Sequence, residues 1–213
     1  EAMLTFGGLK AWEGLRVMSA TGCRPFCASR DGMVQGEGAA IFVFEAEEHA
    51  RARGATILAH VAGHAMTSDA RDIVLPDAAG AAAAMTGALR AADLTPGDIG
   101  YVNAHGTATA ANDRTEAAAI RAAFGPEADR VAVSSTKSMH GHLIGGAGAV
   151  ELIACLLALG EGVIAPTVGW READADIALN LVTGQARRAR VEAVLSNAFA
   201  FGGMNAVLAL TAP

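Results

Sequence analysis

The spacing of apolar residues changes repeatedly between two periods along the chain. Segments with apolar residues every three to four positions, typical of helices, lie at 9–18, 78–92, 113–124 and 148–159. Short runs rich in β-forming residues, typical of buried strands, lie at 39–45, 56–63, 99–103, 131–135, 164–167, 194–197 and 205–211. A charged, alanine-rich helix is expected at 47–53, ended by Gly54. Alternation of strands and helices predicts an α/β layered fold.

The segment 22–38 interrupts this pattern. It is rich in glycine, arginine, aspartate and proline, so we expect a loop that runs over the surface. The sequence contains no internal repeat and no evident linker.

Composition narrows the possible classes of protein. The chain has 213 residues, of which 52% are hydrophobic and 18% charged, so it can bury a core of its own. A net charge of −6, no basic cluster and only 5% aromatic residues argue against nucleic-acid binding. No apolar run reaches the ~20 residues of a membrane helix, and no secretory signal is visible. Three cysteines do not make a disulfide framework, so we expect a cytoplasmic protein.

A histidine follows directly on the predicted strand 99–103. The sequence over 102–109 is VNAHGTAT, which surrounds His105 with small and hydroxylic residues. Ligand sites in open α/β sheets favour this position at the carboxyl end of a strand. A single histidine on a loop is more often structural than catalytic, so both interpretations stay open here.

A lysine and two histidines follow the strand 131–135. The sequence SSTKSMHGH over 134–142 leads into a glycine-rich turn that opens an apolar helix. The N–H groups of such a helix start suit an anionic or thioester oxygen. A phosphate-binding loop is disfavoured because GxxxxGK[ST] is absent and Lys137 precedes the glycines. Zinc binding by His140 and His142 is a weak alternative, since no third ligand motif lies nearby.

Glu151 lies inside the otherwise apolar helix 148–159. An unpaired buried carboxylate is very costly, so Glu151 needs a partner if it is buried. Lys137 is the natural candidate. The alternative is that Glu151 caps the start of the helix and faces water.

Two phenylalanines, Phe199 and Phe201, lie among small residues in SNAFAFGGMN over 196–205. Such a segment can place one ring inward and leave the backbone free to move. Phe199, Phe201 and Gly202 are therefore candidates for a gate or an oxyanion-binding loop. A plain turn between two core strands is the alternative.

Four ordered motifs carry a resemblance to β-ketoacyl synthases over essentially the whole chain. They are RPF, RDG and GEG over 24–38, NAHGTAT over 103–109, SSTKSMHGH with GGAGAVE over 134–151, and NAFAFGGMN over 197–205. The chain looks most like the C-terminal half of a dissociated bacterial type II enzyme. This implies a thiolase-like layered αβαβα fold. Residues 1–54 would end its N-terminal half and residues 55–213 would form the C-terminal half.

The resemblance also implies a reaction, a decarboxylative Claisen condensation of malonyl-(acyl carrier protein) with an acyl thioester held on a cysteine. His105 and His142 match the two histidines that stabilise the enolate in that family. Lys137 and Glu151 match its lysine and glutamate. The pantetheine arrives on the carrier protein, so neither a resident cofactor nor a metal is implied.

Further roles come from the same resemblance. Thr107 and Thr109 match hydroxyls that bind the pantetheine amides. Phe201 matches the gating phenylalanine, whose N–H forms the acyl oxyanion hole together with that of the cysteine. Arg16 aligns with an arginine that docks the acidic carrier protein, and an ordinary solvated arginine is the alternative.

The sequence departs from the family at several places, and two of them bear on the nucleophile and the substrate. Cys23, Cys27 and Cys155 do not match the nucleophile, so we expect a segment outside this chain to supply it; a metal pair of Cys23 and Cys27 is an improbable alternative. His140 replaces a threonine of many elongation enzymes. Histidine there looks more like specialised synthases such as the nodulation type, which leaves the acyl substrate open.

The whole protein is expected to be a homodimer or a ketosynthase heterodimer that works with an acyl carrier protein, without nucleic acid or membrane. The main alternative is a non-catalytic partner subunit that shapes the chain-length pocket. Retention of both histidines and the lysine disfavours it. A thiolase or a hydroxymethylglutaryl-type synthase is disfavoured by the pairing of AHGT with STKS and GH.

Overall fold

A six-stranded mixed sheet forms the centre of the structure, a computed structural model that describes residues 1–213. The strands are β1 (His60–Ser68), β2 (Tyr101–Asn103), β3 (Ala132–Ser134), β4 (Val163–Ile164), β5 (Asn180–Leu181), β6 (Arg187–Arg188), β7 (Ala193–Ala200) and β8 (Met204–Thr211). Their order in the sheet is β1-β8-β7-β2-β3-β5, and β4 pairs separately with β6. Strands β7, β2, β3 and β5 are parallel, whereas β8 is antiparallel to both of its neighbours.

Six α-helices accompany the sheet. They are α1 (Phe6–Gly14), α2 (Glu47–Ala52), α3 (Ala78–Ala91), α4 (Ala110–Phe124), α5 (Lys137–His140) and α6 (Ala147–Glu161). Short 3₁₀ helices lie at Pro96–Asp98, Gly125–Asp129 and Ile144–Gly146.

Each face of the sheet has its own core, because successive side chains of a strand point to opposite faces. On one face Val102 and Leu195 pack with buried residues of α3 and α4. On the other face Tyr101 and Val194 pack with α6. Helices on both faces of a largely parallel sheet confirm the α/β prediction.

Most predicted elements form with shifted ends. The first helix lies at Phe6–Gly14 instead of 9–18, because the Thr5 side chain caps Gly8 N at 3.1 Å and Arg16 has a positive φ of 57°. The strand expected at 56–63 lies at His60–Ser68. Helix α2 ends as predicted, with Gly54 at a φ of +69°. The domain boundary at residue 54 stays a prediction.

The strand predicted at 39–45 does not form. These residues have no strand pairing, and the side chains of Ile41 and Val43 are 94% and 79% exposed. Their β-forming composition favours an extended backbone. A strand also needs the hydrogen bonds of a neighbour, which this segment lacks here.

The segment 22–38 is irregular, as expected, but the prediction that it runs over the surface is wrong. Phe26 is fully buried and belongs to the larger core. The backbone of the same segment holds a histidine, since His142 N donates to Val34 O at 2.7 Å and Gly36 N donates to His142 O at 3.0 Å. Glycine and proline predict an irregular backbone, but they do not decide whether that backbone is exposed.

The segment Ile144–Glu161 is long and apolar enough to cross a membrane, with a mean hydropathy of 1.6. A helix in the core of a folded domain meets the same criterion. This one packs on β7 and β2 and buries Glu151, which is 1% exposed.

We predict that Gly63→Ala destabilises the fold. A Cβ at Gly63 would lie 2.5 Å from Ala92 N and 2.7 Å from Ala88 O, so α3 would have to move away from β1. We expect the free energy of unfolding in urea to fall by about 1–3 kcal/mol. Gly160→Ala in α6 is the control, because open space surrounds it and helix propensity favours alanine. Equal stability of the parent and Gly63→Ala would contradict the close packing of α3.

Candidate active site

Two loops meet at the carboxyl ends of neighbouring parallel strands. His105 follows β2 and Lys137 follows β3, so strand pairing brings them to the same edge of the sheet. The Ser135 hydroxyl donates to Gly106 O at 2.7 Å and joins the loops. Gly106 has a φ of +38°, and a Cβ there would lie 2.5 Å from Ser135 Cβ, so this approach requires glycine.

A buried ion pair lies beneath the loops. Lys137 and Glu151 are 0% and 1% exposed and form the pair that the sequence predicted. Lys137 Nζ also lies 3.3 Å from His105 Nδ1. Because an ammonium has only donors, Nδ1 accepts and the imidazole proton of His105 is on Nε2. Asn103 Nδ2 donates to Glu151 O at 2.8 Å and fixes α6 to the end of β2.

His142 has the same tautomer for a different reason. The backbone N of Ile144 donates to His142 Nδ1 at 3.0 Å, which again leaves the proton on Nε2. The rings of His105 and His142 are 5.3 Å apart and nearly perpendicular, at 83°.

Burial keeps both imidazoles neutral. It lowers the pKa of His105 well below its ordinary value, and the charge of Lys137 adds to the shift. It lowers the pKa of His142 to about 3, again with help from Lys137. The site therefore offers two adjacent N–H donors that do not carry charge at neutral pH.

Two threonine hydroxyls follow His105 in the same loop. Thr107 Oγ1 and Thr109 Oγ1 lie 2.9 Å apart, and Thr107 is buried. Thr109 caps α4 by accepting from Asn112 N at 3.3 Å. Their pantetheine-binding role stays a prediction.

The two phenylalanines occupy different places. Phe199 is buried, and its ring lies 5.8 Å from the ring of His105. Phe201 is 40% exposed, and its ring stacks on Trp12 instead. Gly202, which follows it, has a φ of +82°. The structure therefore brings Phe199, and not the ring of Phe201, to the histidines.

Glu116 supports the histidine loop and was not predicted. Its buried carboxylate accepts from the backbone N of His105 at 2.8 Å and of Gly106 at 2.7 Å. It also accepts from the side-chain amides of Asn197 at 3.1 Å and Asn112 at 3.4 Å. Burial raises the pKa of Glu116 to about 7, and these N–H donors oppose that shift.

Asp113 lies one turn before Glu116 in α4 and supports the same loop. It accepts from Phe26 N at 2.7 Å and from Ala108 N at 3.2 Å, and Arg30 Nε lies 3.8 Å away. Phe26 and Ala108 both have a positive φ, of 62° and 67°. Buried hydrogen bonds to one carboxylate thus hold two strained backbone positions.

The sequence contains a signal for these two acids. Asp113 and Glu116 recur at helical spacing with Ala117 and Ile120, and all four face the core. Acidic residues on the apolar face of a predicted helix are expected only where the interior supplies donors. Acidic residues on the apolar face of the predicted helix would therefore have identified Asp113 and Glu116 as buried supporting residues.

His140 and Arg16 lie outside the group of contacts around Lys137. His140 Nδ1 contacts Gly141 O at 2.7 Å and its Nε2 contacts Thr136 Oγ1 at 3.1 Å, so both ring nitrogens have partners in their own turn. Arg16 is exposed just after α1. No group of three or more histidine, cysteine or acidic side chains is arranged to hold a metal.

The three cysteines are all unpaired. Cys155 is buried in α6, and burial raises its thiol pKa to about 12. Burial also raises the pKa of Cys23 to about 11, so Cys23 and Cys155 are poor nucleophiles at neutral pH. Cys27 differs: burial opposes the shift, but hydrogen bonds with Ser29 and with backbone groups lower its thiol pKa, and its side chain is fully buried.

Residues 58–171 match the family described as "Beta-ketoacyl synthase, C-terminal domain". This chain belongs to that family. Nodulation protein E of Rhizobium leguminosarum bv. trifolii is 53% identical over 209 residues, which cover 98% of this chain and 52% of that protein. The chain thus spans about half the length of the curated relatives it matches.

Solved ketosynthase structures share the fold. The ishigamide ketosynthase/chain length factor superposes with a TM-score of 0.95 at 38% identity, over 99% of this chain and 52% of that one. A type II polyketide ketosynthase in complex with its acyl-carrier protein superposes with a TM-score of 0.97 at 31% identity, over 100% and 54% of the two chains. The predicted family and thiolase-like fold are confirmed.

We predict that the Lys137–Glu151 pair tolerates joint replacement better than loss of one partner. Lys137→Met leaves a buried carboxylate without its partner and should lower the free energy of unfolding by about 3–5 kcal/mol. Lys137→Met with Glu151→Leu should recover most of that loss. Urea unfolding of both variants checks this, and a double variant as unstable as the single one would contradict it. Lys10→Met, at an exposed pair with Glu13, is the control and should change little.

We predict that Glu116→Gln loosens the loop that contains His105. Each carboxylate oxygen of Glu116 now accepts from a backbone N–H. In glutamine one oxygen is replaced by an amide N–H₂, which would face one of these N–H groups without a hydrogen bond and should lower the free energy of unfolding by about 1–3 kcal/mol. Glu192→Gln, at a surface pair with Arg190, is the matched control. Amide hydrogen exchange at His105 and Gly106 should accelerate in Glu116→Gln only, and unchanged exchange would contradict the assignment.

Proposed function

We propose that this chain forms the C-terminal half of a β-ketoacyl-(acyl carrier protein) synthase. Its reaction would be the decarboxylative Claisen condensation of a malonyl thioester with an acyl thioester, in fatty-acid or polyketide-type synthesis. The observation that carries the proposal is the pair of adjacent, neutral histidines, His105 and His142, which both have Nε2–H. The nucleophilic cysteine would come from a segment outside this chain.

The geometry supports decarboxylation in the following way. Cleavage of the bond between the malonyl α-carbon and its carboxylate leaves an electron pair that delocalises onto the thioester oxygen. Two neutral N–H donors stabilise that oxyanion, and they do so more strongly in a buried site than in water. The resulting carbanion then attacks the carbonyl carbon of the acyl group on the cysteine. A C–C bond forms, the C–S bond breaks, and the cysteine leaves as a thiolate.

Lys137 and Glu151 would act through His105. The ammonium donates to His105 Nδ1, which fixes the tautomer, and its charge disfavours protonation of the ring. Glu151 compensates the buried charge of Lys137. Both residues are therefore positioning residues in this proposal.

The substrate would reach the histidines on a phosphopantetheine arm. Thr107 and Thr109 would bind its amides, and Phe201 with Gly202 would form the gate and the acyl oxyanion contact. Arg16 would dock an acidic acyl carrier protein, since opposite charge steers such encounters. The carrier protein would deliver the only prosthetic group.

A partner subunit and a location complete the proposal. A homodimer or a ketosynthase heterodimer in the cytoplasm fits the relatives, one of which is described as a ketosynthase/chain length factor. That description also favours the second candidate, a non-catalytic chain-length subunit. A subunit that does not bind a reacting thioester does not need two histidines that both donate from Nε2. We therefore favour the condensing enzyme over the chain-length subunit.

We predict that His142→Ala in the complete ketosynthase lowers malonyl decarboxylation by about 10²–10³-fold, because one oxyanion donor is lost. Acylation of the cysteine should largely survive. His142→Gln should retain more activity than His142→Ala, since its amide nitrogen can donate near the position of Nε2. The release of CO₂ and the acylation of the cysteine are measured separately.

The control for this experiment is His64→Ala on the edge strand β1, at a histidine with an exposed side chain. Release of CO₂ from His142→Ala at the parent rate would overturn the role of His142. Loss of acylation and decarboxylation together, in a folded variant, would also contradict a role confined to the malonyl step.

A further inference from the structure

Helix α1 contacts Phe201, the proposed gate, through the side chain of Trp12. The rings of Trp12 and Phe201 are stacked, with centroids 5.5 Å apart and planes at 29°. No residue of α1 is fully buried, and Phe6 on the same helix is 81% exposed. Within this chain, which spans about half the length of its curated relatives, the aromatic stack is therefore a specific contact of α1.

Phe201 lies at the turn between β7 and β8, where Gly202 and Gly203 have φ values of +82° and +74°. The backbone after the ring is anchored, since Gly202 N donates to Ile73 O at 2.8 Å. A Cβ at Gly202 would meet no atom within 4 Å, whereas one at Gly203 would lie 2.7 Å from Asp69 Cβ, so the turn is open at Gly202, next to the Phe201 ring, and closely packed one residue later.

The other phenylalanine of the segment does not share this freedom. Phe199 lies within β7, is 7% exposed and packs beside His105. Movement of Phe201 thus need not disturb the wall of the site that Phe199 forms.

We infer that Trp12 is a positioning residue that holds the Phe201 ring away from the histidines and so keeps the site accessible to the malonyl thioester. This rests on the proposed function, in which Phe201 is the gate. Aromatic pairs contribute beyond the area that they bury, so loss of the stack shifts the gate toward other positions. A smaller population of the accessible state raises the apparent dissociation constant of a ligand that needs it.

The kinetic test uses Trp12→Ala in the complete ketosynthase, with malonyl-coenzyme A as the probe. The KM for malonyl-coenzyme A should rise about two- to tenfold, the size expected for one aromatic pair, while kcat at saturation stays within about twofold. Trp12→Phe keeps a ring in the stack and should restore KM. Glu13→Ala, the exposed neighbour on α1, is the matched control and should resemble the parent.

A spectroscopic test examines the stack without any catalysis. Trp12 and Trp170 are the only tryptophans of this chain, so Trp170→Phe, together with replacement of any tryptophan in the other half, leaves Trp12 as the single emitter. Phe201→Ala in that background removes the ring that covers Trp12 and should shift its emission to longer wavelength. Malonyl-coenzyme A should change the emission only where Phe201 is present.

The two tests separate the possible failures. If the emission of Trp12 is the same with and without Phe201→Ala, the inference is wrong, irrespective of the kinetic result. A shifted emission with an unchanged KM in Trp12→Ala would overturn the positioning role but leave the stack. Absence of decarboxylation in the parent would instead contradict the proposed function, and it would leave the emission result to stand.

Discussion

The ion pair of Lys137 and Glu151 is the interaction on which the rest of the site depends. Both groups are almost completely removed from water, so each is tolerable only while the other remains in place. The pair joins the end of β3 to α6, and Asn103 binds the backbone of Glu151 and adds the end of β2. Three elements are thereby fixed at one point. The ammonium then has a donor left for His105, and the histidine chemistry follows from that contact.

The two histidines reach one protonation state through different partners. A side-chain ammonium donates to Nδ1 of His105, whereas a backbone N–H donates to Nδ1 of His142. The backbone of His142 is itself bound to the segment 22–38, which places a loop from near the start of the chain against the site. Glu116 and Asp113 anchor the loop of His105 in a comparable way. A rigid pair of donors costs no reorganisation when negative charge develops, which is what oxyanion stabilisation requires.

Predictions from the sequence were correct where a short segment contains the evidence needed, either a clear helical period or a polar residue that requires a nearby partner. They located α3, α4 and α6 to within a few residues, and they paired Lys137 with Glu151 because a lone acid in an apolar helix needs a partner. At 39–45 no strand forms, because pairing needs a neighbouring strand and none of the residues of this chain supplies one. The predictions also placed 22–38 on the surface, although internal partners such as Asp113 satisfy its polar groups. Contacts between distant segments set these outcomes, and local periodicity does not record them.

The phenylalanine segment shows how a strand end can separate two similar residues. Side chains two positions apart in a strand point to the same face, so a longer β7 would place Phe201 on the same side as Phe199. Strand β7 ends at Ala200, and two glycines with positive φ turn the chain immediately afterwards. Phe199 therefore stays within the sheet beside His105, while Phe201 leaves it and meets Trp12. One phenylalanine packs within the sheet and the other contacts a helix from the start of the chain, so the wall of the site and its proposed gate are separate parts of the structure.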